Sequence, residues 1–250
     1  MADERATEPM IEVEGLAIGY EDVTLMRDLS FRIERGDVFV ILGGSGCGKS
    51  TLLRTLIGLQ EPLAGRILLR GEELRGLVDG PPRFGTMFQS GALFGSLTLL
   101  ENVAVPLRAW TRLPEDAIHA VAAARLRLVG LGGFDHHMPA EISGGMRKRA
   151  GIARALAMDP DLLFLDEPSA GLDPVSAVEL DELLLTLSKD LGVTTVLVTH
   201  ELESIFKIGR RCIMLEREAR TIIAEGDPRT LRDESTDPRV SGFFNRRARV

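Results

Sequence analysis

The chain has 250 residues, 44% of them hydrophobic, and a formal net charge of -7 at pH 7. This length and apolar content allow a sizeable buried core, and the acidic balance argues against a general nucleic-acid binder. Two cysteines, Cys47 and Cys212, are too few for a disulfide framework and are typical of a reducing, cytosolic compartment. No apolar run approaches the ~18 residues of a membrane-spanning helix, so we expect another chain to cross any membrane involved.

The first third of the chain predicts strands followed by a helix. Residues 1–10 lack an apolar core and are expected to be a disordered lead-in. Alternating apolar and polar residues predict half-buried strands over 11–20 and 28–37. The almost continuously apolar stretch 37–42 predicts a central parallel strand that is buried on both faces. A glycine-rich turn and a helix over 50–59 are expected after it.

The middle of the chain differs in character from its two ends. Residues 65–74 predict an edge strand, and helical segments separated by Gly and Pro then predict a helical lobe over about 90–158. Beyond the lobe the pattern returns to strand, helix and strand, which predicts a parallel sheet with crossover helices. Residues 211–226 predict a closing hairpin. We expect one domain over 11–245, with 228–250 as a basic, loosely held C-terminal tail.

A phosphate-binding motif stands between the apolar strand and the helix that follows it. The motif fits G-x-x-x-x-G-K-[ST], in which the backbone N–H groups and the helix dipole surround phosphates. Lys49 is expected to reach the β- and γ-phosphates, and the Ser50 hydroxyl to ligate Mg²⁺. Its nine residues are Gly43, Gly44, Ser45, Gly46, Cys47, Gly48, Lys49, Ser50 and Thr51. They predict a nucleotide-binding site.

Further polar residues follow apolar strands. Asp166 and Glu167 come after apolar residues 162–165; Asp166 would hold Mg²⁺ through water, and Glu167 would act as general base on the attacking water. His200 ends another strand and is expected at the same sheet edge, near the γ-phosphate or that water. Gln89 could ligate Mg²⁺ or water, although an isolated glutamine does not carry that assignment by itself. The alternatives are an acidic cap for the next helix and a structural histidine.

The helix predicted after Ser143 carries positive charges near its N-terminus, where negative charges would be favoured. Ser143 is expected to be its N-cap, yet Arg147, Lys148 and Arg149 crowd its first turns. The helix dipole already presents partial positive charge at that end. We therefore expect an anion in front of this helix.

Taken together, six short motifs resemble those of the ATP-binding cassette (ABC) ATPases. In chain order they are "GGSGCGKST", the glutamine of "FQSG", "ISGGM", "LLFLDEP", "SAGLD" and "VTH". The resemblance spans residues 11–227 and implies an α/β P-loop fold with a parallel-sheet core, an N-terminal antiparallel β-subdomain and an α-helical subdomain. It also implies that two copies pack head to tail, each ATP being held between the P-loop of one copy and the signature helix of the other.

The resemblance assigns roles to further residues. Ser143, Gly144 and Gly145 would grip the γ-phosphate of a nucleotide bound to the opposite copy, in agreement with the charge argument. Tyr20 would stack on adenine, the alternative being a tyrosine that packs at a strand end. Asp173 would communicate between the two sites. The cofactors implied are ATP and Mg²⁺.

A narrower resemblance lies in the helical lobe, where "FQSGALFGSLTLLENVAVPLR" and "ISGGMRKR" are similar to the ATPase of Mla-type bacterial lipid transporters. It implies a subunit on the cytoplasmic face of the inner membrane, a phospholipid-moving permease and an MCE-domain protein as partners, and no nucleic acid. The segment after Gln89 would receive a helix of the permease, although Trp110 and its apolar neighbours could equally be core. A cassette for another cargo and a soluble, non-transport ABC ATPase are the alternatives.

Overall fold

The computed structural model describes residues 9–20, 23–74, 80–89 and 91–246. The lead-in expected over 1–10 lies almost wholly outside this part, as do the last four positions of the tail.

The described residues form both strands and helices. The strands are β1 (Ile11–Tyr20), β2 (Val23–Ile33), β3 (Val38–Gly43), β4 (Ala64–Leu69), β5 (Glu72–Glu73), β6 (Gly85–Met87), β7 (Leu162–Asp166), β8 (Thr194–Val198), β9 (Arg211–Glu216) and β10 (Thr221–Gly226). The helices are α1 (Lys49–Leu56), α2 (Leu99–Trp110), α3 (Glu115–Leu128), α4 (Gly144–Ala155), α5 (Pro174–Leu191), α6 (Leu202–Ile208), α7 (Pro228–Glu234) and α8 (Pro238–Phe244). Two compact units result, one from Met1–Val78 with Thr194–Val250 and one from Asp79–Val193.

The first unit contains an antiparallel sheet with the strand order β2-β1-β4-β5. In β1 the buried side chains follow the two-residue period of a strand in two stretches, Ile11 with Val13 and Leu16 with Ile18, and the pairing register shifts between them. The edge strand expected over 65–74 is only partly correct. β4 pairs with β1 on one side and with β5 on the other, so the two-residue β5 forms the edge.

A group of mainly parallel strands completes the first unit. All six residues of β3 are buried, and β3 pairs in parallel with β8 on one side and with β9 on the other. The prediction of a central parallel strand is therefore confirmed. β10 pairs antiparallel with β9, which confirms the closing hairpin. Both β3 and β8 end at the same edge, because neighbouring parallel strands share their direction.

The second unit joins two short strands to four helices. β6 and β7 are parallel neighbours, with Met87 opposite Leu165. α2 begins with a capping box between Thr98 and Glu101, and it packs on α3 and α4. The helical lobe predicted over about 90–158 contains α2, α3 and α4.

The C-terminal region is more ordered than its composition suggests. α7 and α8 each start with an aspartate N-cap followed by proline, and Val240 and Phe244 of α8 are buried. The Phe244 ring lies 5.7 Å from the Phe206 ring of α6. The expectation of a loosely held segment is thus wrong for residues 237–246, because apolar residues spaced by four give the terminal helix a face to bury. Across the described residues, none of the helices is both long and apolar enough to span a membrane.

Candidate nucleotide site

The P-loop leads from the end of β3 into α1. Gly48, the residue before α1, has a left-handed φ of 98°, which glycine adopts without steric cost. The first turn of α1 has no acidic residue, and its N-cap, Gly48, has no side chain to accept from the first N–H groups, which a helix leaves without intrahelical partners. Lys49 Nζ lies across the loop, donating to the carbonyls of Gly43 at 2.9 Å and Gly44 at 3.0 Å. A dipole end and a cation therefore meet at one loop, as an anion site requires.

Tyr20 lies beside α1 in the same unit. Its side chain is 49% exposed, and its hydroxyl is 3.1 Å from Thr51 Oγ1. Arg54 also donates to this hydroxyl, at 3.5 Å. Tyr20 ends β1 and is half-exposed, so it is accessible to a ligand, and both stacking on adenine and packing at the strand end stay open.

His200 follows β8 and is exposed. Because β8 is the parallel neighbour of β3, His200 emerges at the sheet edge from which the P-loop starts, as expected. Its Nε2 lies 3.6 Å from Glu201 Oε1. Its contact with a phosphate or a water molecule remains a prediction.

The C-terminal helix borders a cavity beside the P-loop, a feature that the sequence did not suggest. The cavity measures about 1110 Å³, and its walls include Ser45 and Cys47 of the loop together with Arg239 and Phe243 of α8. Burial raises the pKa of the Cys47 thiol, so the loop carries no thiolate near neutral pH.

In the second unit, three of the predicted site residues share one edge. Gln89 follows β6 by two residues, Asp166 is the last residue of β7, and Glu167 comes next. Since β6 and β7 are parallel, these residues lie together at the carboxyl end of the pair. Lys148 of α4 donates to the main-chain carbonyls of both Gln89 and Glu167.

Glu167 has a left-handed backbone conformation, with φ at 47°. For a residue other than glycine this costs about 1 kcal/mol, and such strain is concentrated at functional sites. The alternative that Asp166 and Glu167 merely cap the next helix is wrong, because Asp173 is the N-cap of α5.

Ser50, Gln89 and Asp166 offer a hydroxyl, an amide and a carboxylate oxygen. Ser50 and Gln89 are exposed, and Asp166 is partly exposed. Nowhere in the described chain could three or more His, Cys, Asp or Glu side chains hold a metal by themselves. Mg²⁺ at a nucleotide site needs no such cluster, because it takes one or two protein oxygens together with phosphate and water. The donor types therefore fit Mg²⁺ accompanied by a nucleotide.

Ser143 is the N-cap of α4, as predicted, and its Oγ accepts a hydrogen bond from Met146 N at 3.2 Å. Gly144 and Gly145 form the first turn. A Cβ on Gly145 would lie 3.0 Å from the Ser176 side chain, so α4 and α5 approach closely here.

The three cations of this helix bind within their own unit. Arg147 donates to the Ile142 carbonyl at 2.7 Å, Arg149 lies 3.7 Å from Glu179, and Lys148 is 8% exposed. Arg147 and Lys148 donate to neutral carbonyls, so the anion expected in front of this helix stays a prediction. The start of α4 also presents the helix dipole behind an exposed serine.

Asp173 has a local structural role as the N-cap of α5. Its Oδ1 accepts from the backbone N–H groups of Val175 and Ser176 at 3.1 and 3.0 Å, and its Oδ2 accepts from Ser176 Oγ at 2.6 Å. The bonds from Ser176 lower the pKa of this carboxyl. Communication between two sites stays a prediction for Asp173.

The segment after Gln89 contains both core and surface residues. Asn102, fully buried, accepts from Phe94 N at 2.7 Å and donates to the Thr98 carbonyl at 2.9 Å, and so fixes the loop before α2. Leu99 is core, whereas Phe94 and Trp110 are 51% and 49% exposed. Sequence reasoning missed Asn102 and the burial of Lys148, because burial of a polar residue has no local signature.

Comparison with known proteins gives consistent matches. Residues 26–170 match the family model described as ABC transporter. The chain is 40% identical over 242 residues to the probable ribonucleotide transport ATP-binding protein mkl of Mycobacterium leprae, covering 95% of this chain and 69% of that protein. It is 38% identical over 240 residues to the intermembrane phospholipid transport system ATP-binding protein MlaF of Haemophilus influenzae, covering 94% and 90%.

Solved structures agree with these relatives. CbiO1 from Clostridium perfringens, part of the ABC transporter complex cbiONQ, has a TM-score of 0.82 at 31% identity, covering 91% of this chain and 92% of that one. A dimer of the ATP-binding cassette MJ0796, in a post-hydrolysis state with ADP and Pi, has a TM-score of 0.78 at 29% identity, covering 87% and 98%. The chain therefore belongs to the ABC transporter family and is one of its ATP-hydrolysing cassettes.

Proposed function

We propose that this chain is the ATPase subunit of a phospholipid transporter, in which two copies bind ATP between them and drive a membrane permease. The P-loop is the observation that supports ATP binding most directly. There the uncapped start of α1 and the Lys49 ammonium offer positive charge to one loop.

In this proposal each predicted residue has a distinct role. Lys49 binds the β- and γ-phosphates, and Tyr20 stacks on adenine. Ser50, Gln89 and Asp166 hold Mg²⁺, which when bound offsets the negative charge of the phosphates.

The water chemistry is assigned to two residues. Glu167 accepts the proton of the attacking water, and the exposed position of His200 at the P-loop edge suits a contact with the γ-phosphate. The strained backbone at Glu167 supports its assignment as the base.

The second copy would complete each site. Ser143, Gly144 and Gly145 begin α4, whose dipole favours an anion in front of it. The solved cassette MJ0796, which this chain resembles, is a dimer, and a head-to-tail pair of identical chains gives two equivalent sites.

The permease would dock on the helical lobe. Phe94, Trp110 and Leu113 are between 44% and 51% exposed, more than core residues would be. A cassette held there would be peripheral on the cytoplasmic face of the inner membrane, with an MCE-domain protein as a further partner of the permease.

Two cargoes are candidates for this transporter, because one relative is named for phospholipid transport and the other for ribonucleotide transport. We favour phospholipid, since the chain corresponds to 90% of the MlaF relative and to 69% of the mkl relative. Purification of the chain with its membrane partners, followed by mass spectrometry of bound small molecules, tests this. We expect phospholipid to copurify with the complex. If a ribonucleotide other than the bound ATP copurifies and phospholipid does not, ribonucleotide is favoured as the cargo.

Glu167→Gln tests the hydrolytic site. The variant should bind ATP normally, hydrolyse it at least ~100-fold more slowly, and accumulate as a dimer in ATP, because the lost base contributes only to the chemical step. Steady-state ATPase assays and light scattering measure both effects. Glu115→Gln, on the exposed α3 surface, is the control. Wild-type turnover in the Glu167 variant would remove that residue as the base.

A further inference from the structure

Lys148 joins the two loops that carry the predicted water ligand and the predicted base. Its side chain is 8% exposed, and its Nζ donates to the main-chain carbonyl of Gln89 and, at 3.2 Å, to that of Glu167. A buried ammonium needs such acceptors, because desolvation is costly for a charge. One cation on α4 thus ties together the main chain after β6 and the main chain after β7.

A second cation of α4 holds the same loop further along. Arg154 donates to the Gly91 carbonyl at 3.1 Å and to the Ala92 carbonyl at 2.7 Å. Gly151, midway between the two cations, lies against this loop. A Cβ there would be 3.2 Å from the Gly91 oxygen, so the loop packs directly on the helix backbone.

We propose that Lys148 is a positioning residue for ATP hydrolysis, which fixes the main-chain spacing of Gln89 and Glu167. The inference rests on the proposed roles of those two residues. Glu167 has a left-handed backbone, and the bond from Lys148 to its carbonyl helps to hold that conformation. Misplacement of a catalytic group by about 1 Å can cost a hundredfold in rate, so a support of this kind affects turnover.

The central test is Lys148→Met, which keeps the length and apolar stem of the side chain and removes its donors. We expect kcat to fall at least ~10-fold while KM and the ATP dissociation constant stay within about twofold, because Lys148 acts on the hydrolytic step and not on the P-loop. Lys148→Arg, which keeps charged donors, should recover kcat to within about threefold.

The control is Arg125→Met, which removes a partly buried cation of the same unit whose side chain pairs with the exposed Asp159. Its kcat should stay within about twofold of wild type. If Lys148→Met does not fold, the kcat of Gly151→Ala serves as the test of the inference. The added methyl presses on the loop at Gly91 without removing a charge, and it should lower kcat about threefold or more with unchanged ATP affinity.

Each result has a defined consequence when Glu167→Gln is assayed alongside. If Glu167→Gln is inactive while Lys148→Met keeps the wild-type kcat, the positioning role of Lys148 is overturned and the proposed role of Glu167 as the base is not. Equal loss of kcat and ATP affinity in Lys148→Met would also overturn it, since that pattern indicates general destabilisation. Normal turnover in Glu167→Gln would instead count against the proposed base. If Lys148→Met fails to fold, wild-type kcat in Gly151→Ala overturns the inference.

Discussion

Tyr20 presents two separable features, a half-exposed ring and a hydroxyl that contacts Thr51 of α1. Tyr20→Ala should weaken ATP binding about tenfold, because stacking of a base on an aromatic side chain contributes about 1–3 kcal/mol. Tyr20→Phe removes only the hydroxyl and should stay within about twofold of wild type. Calorimetric titration with ATP measures both variants; unchanged affinity in Tyr20→Ala would show that the ring does not contact the base.

Contacts within one motif were easier to predict from sequence than contacts between distant segments. Lys49 lies across its loop because both belong to one nine-residue turn. The contacts of Lys148 and Arg149 in α4 were not predicted, because their partners lie on separate elements, Glu179 on α5 and the loops after β6 and β7. Distance along the chain hides such partners.

At the scale of elements, α8 is held by buried aromatic packing. Phe244 is 3% exposed, and its ring lies against the Phe206 and Phe243 rings. Phe244→Ala should therefore lower the free energy of unfolding by about 3 kcal/mol, the low end for a buried phenylalanine, as measured by urea denaturation. Phe243→Ala is the control at a partly exposed position and should cost about half as much or less. Equal effects would mean that α8 is not docked in solution.

Most elements could be predicted as strand or helix, because the apolar residues recur every two residues in a strand and every 3.6 residues in a helix. β3 is the clearest case, since six consecutive buried residues require cover on both faces. Which strand forms an edge was not predictable. β4 pairs with β1, about 50 positions earlier in the chain, and this long-range pairing leaves β5, the other partner of β4, at the edge.

For the whole molecule, the proposal predicts that two different defects complement each other. Lys49→Ala and Ser143→Arg should each abolish ATP hydrolysis alone, because each damages both sites of a symmetric pair. An equal mixture forms mixed dimers with one intact site, and it should recover about a quarter of wild-type activity if the sites act independently. ATPase assays of the mixture against each variant alone measure this. No recovery at any ratio would contradict a site shared by two copies.

The order of motifs along this sequence was enough to predict the family, which the comparisons show, and to single out the P-loop and the acidic and signature residues, because each is a short pattern whose chemistry is local. Only the tertiary structure decided that Lys148 is buried between two main-chain carbonyls, that Glu167 is left-handed, and that the terminal helix packs beside the P-loop cavity. These features depend on contacts between segments far apart in the chain. Their free energy comes from burial and from pairing of polar groups, which no local pattern encodes.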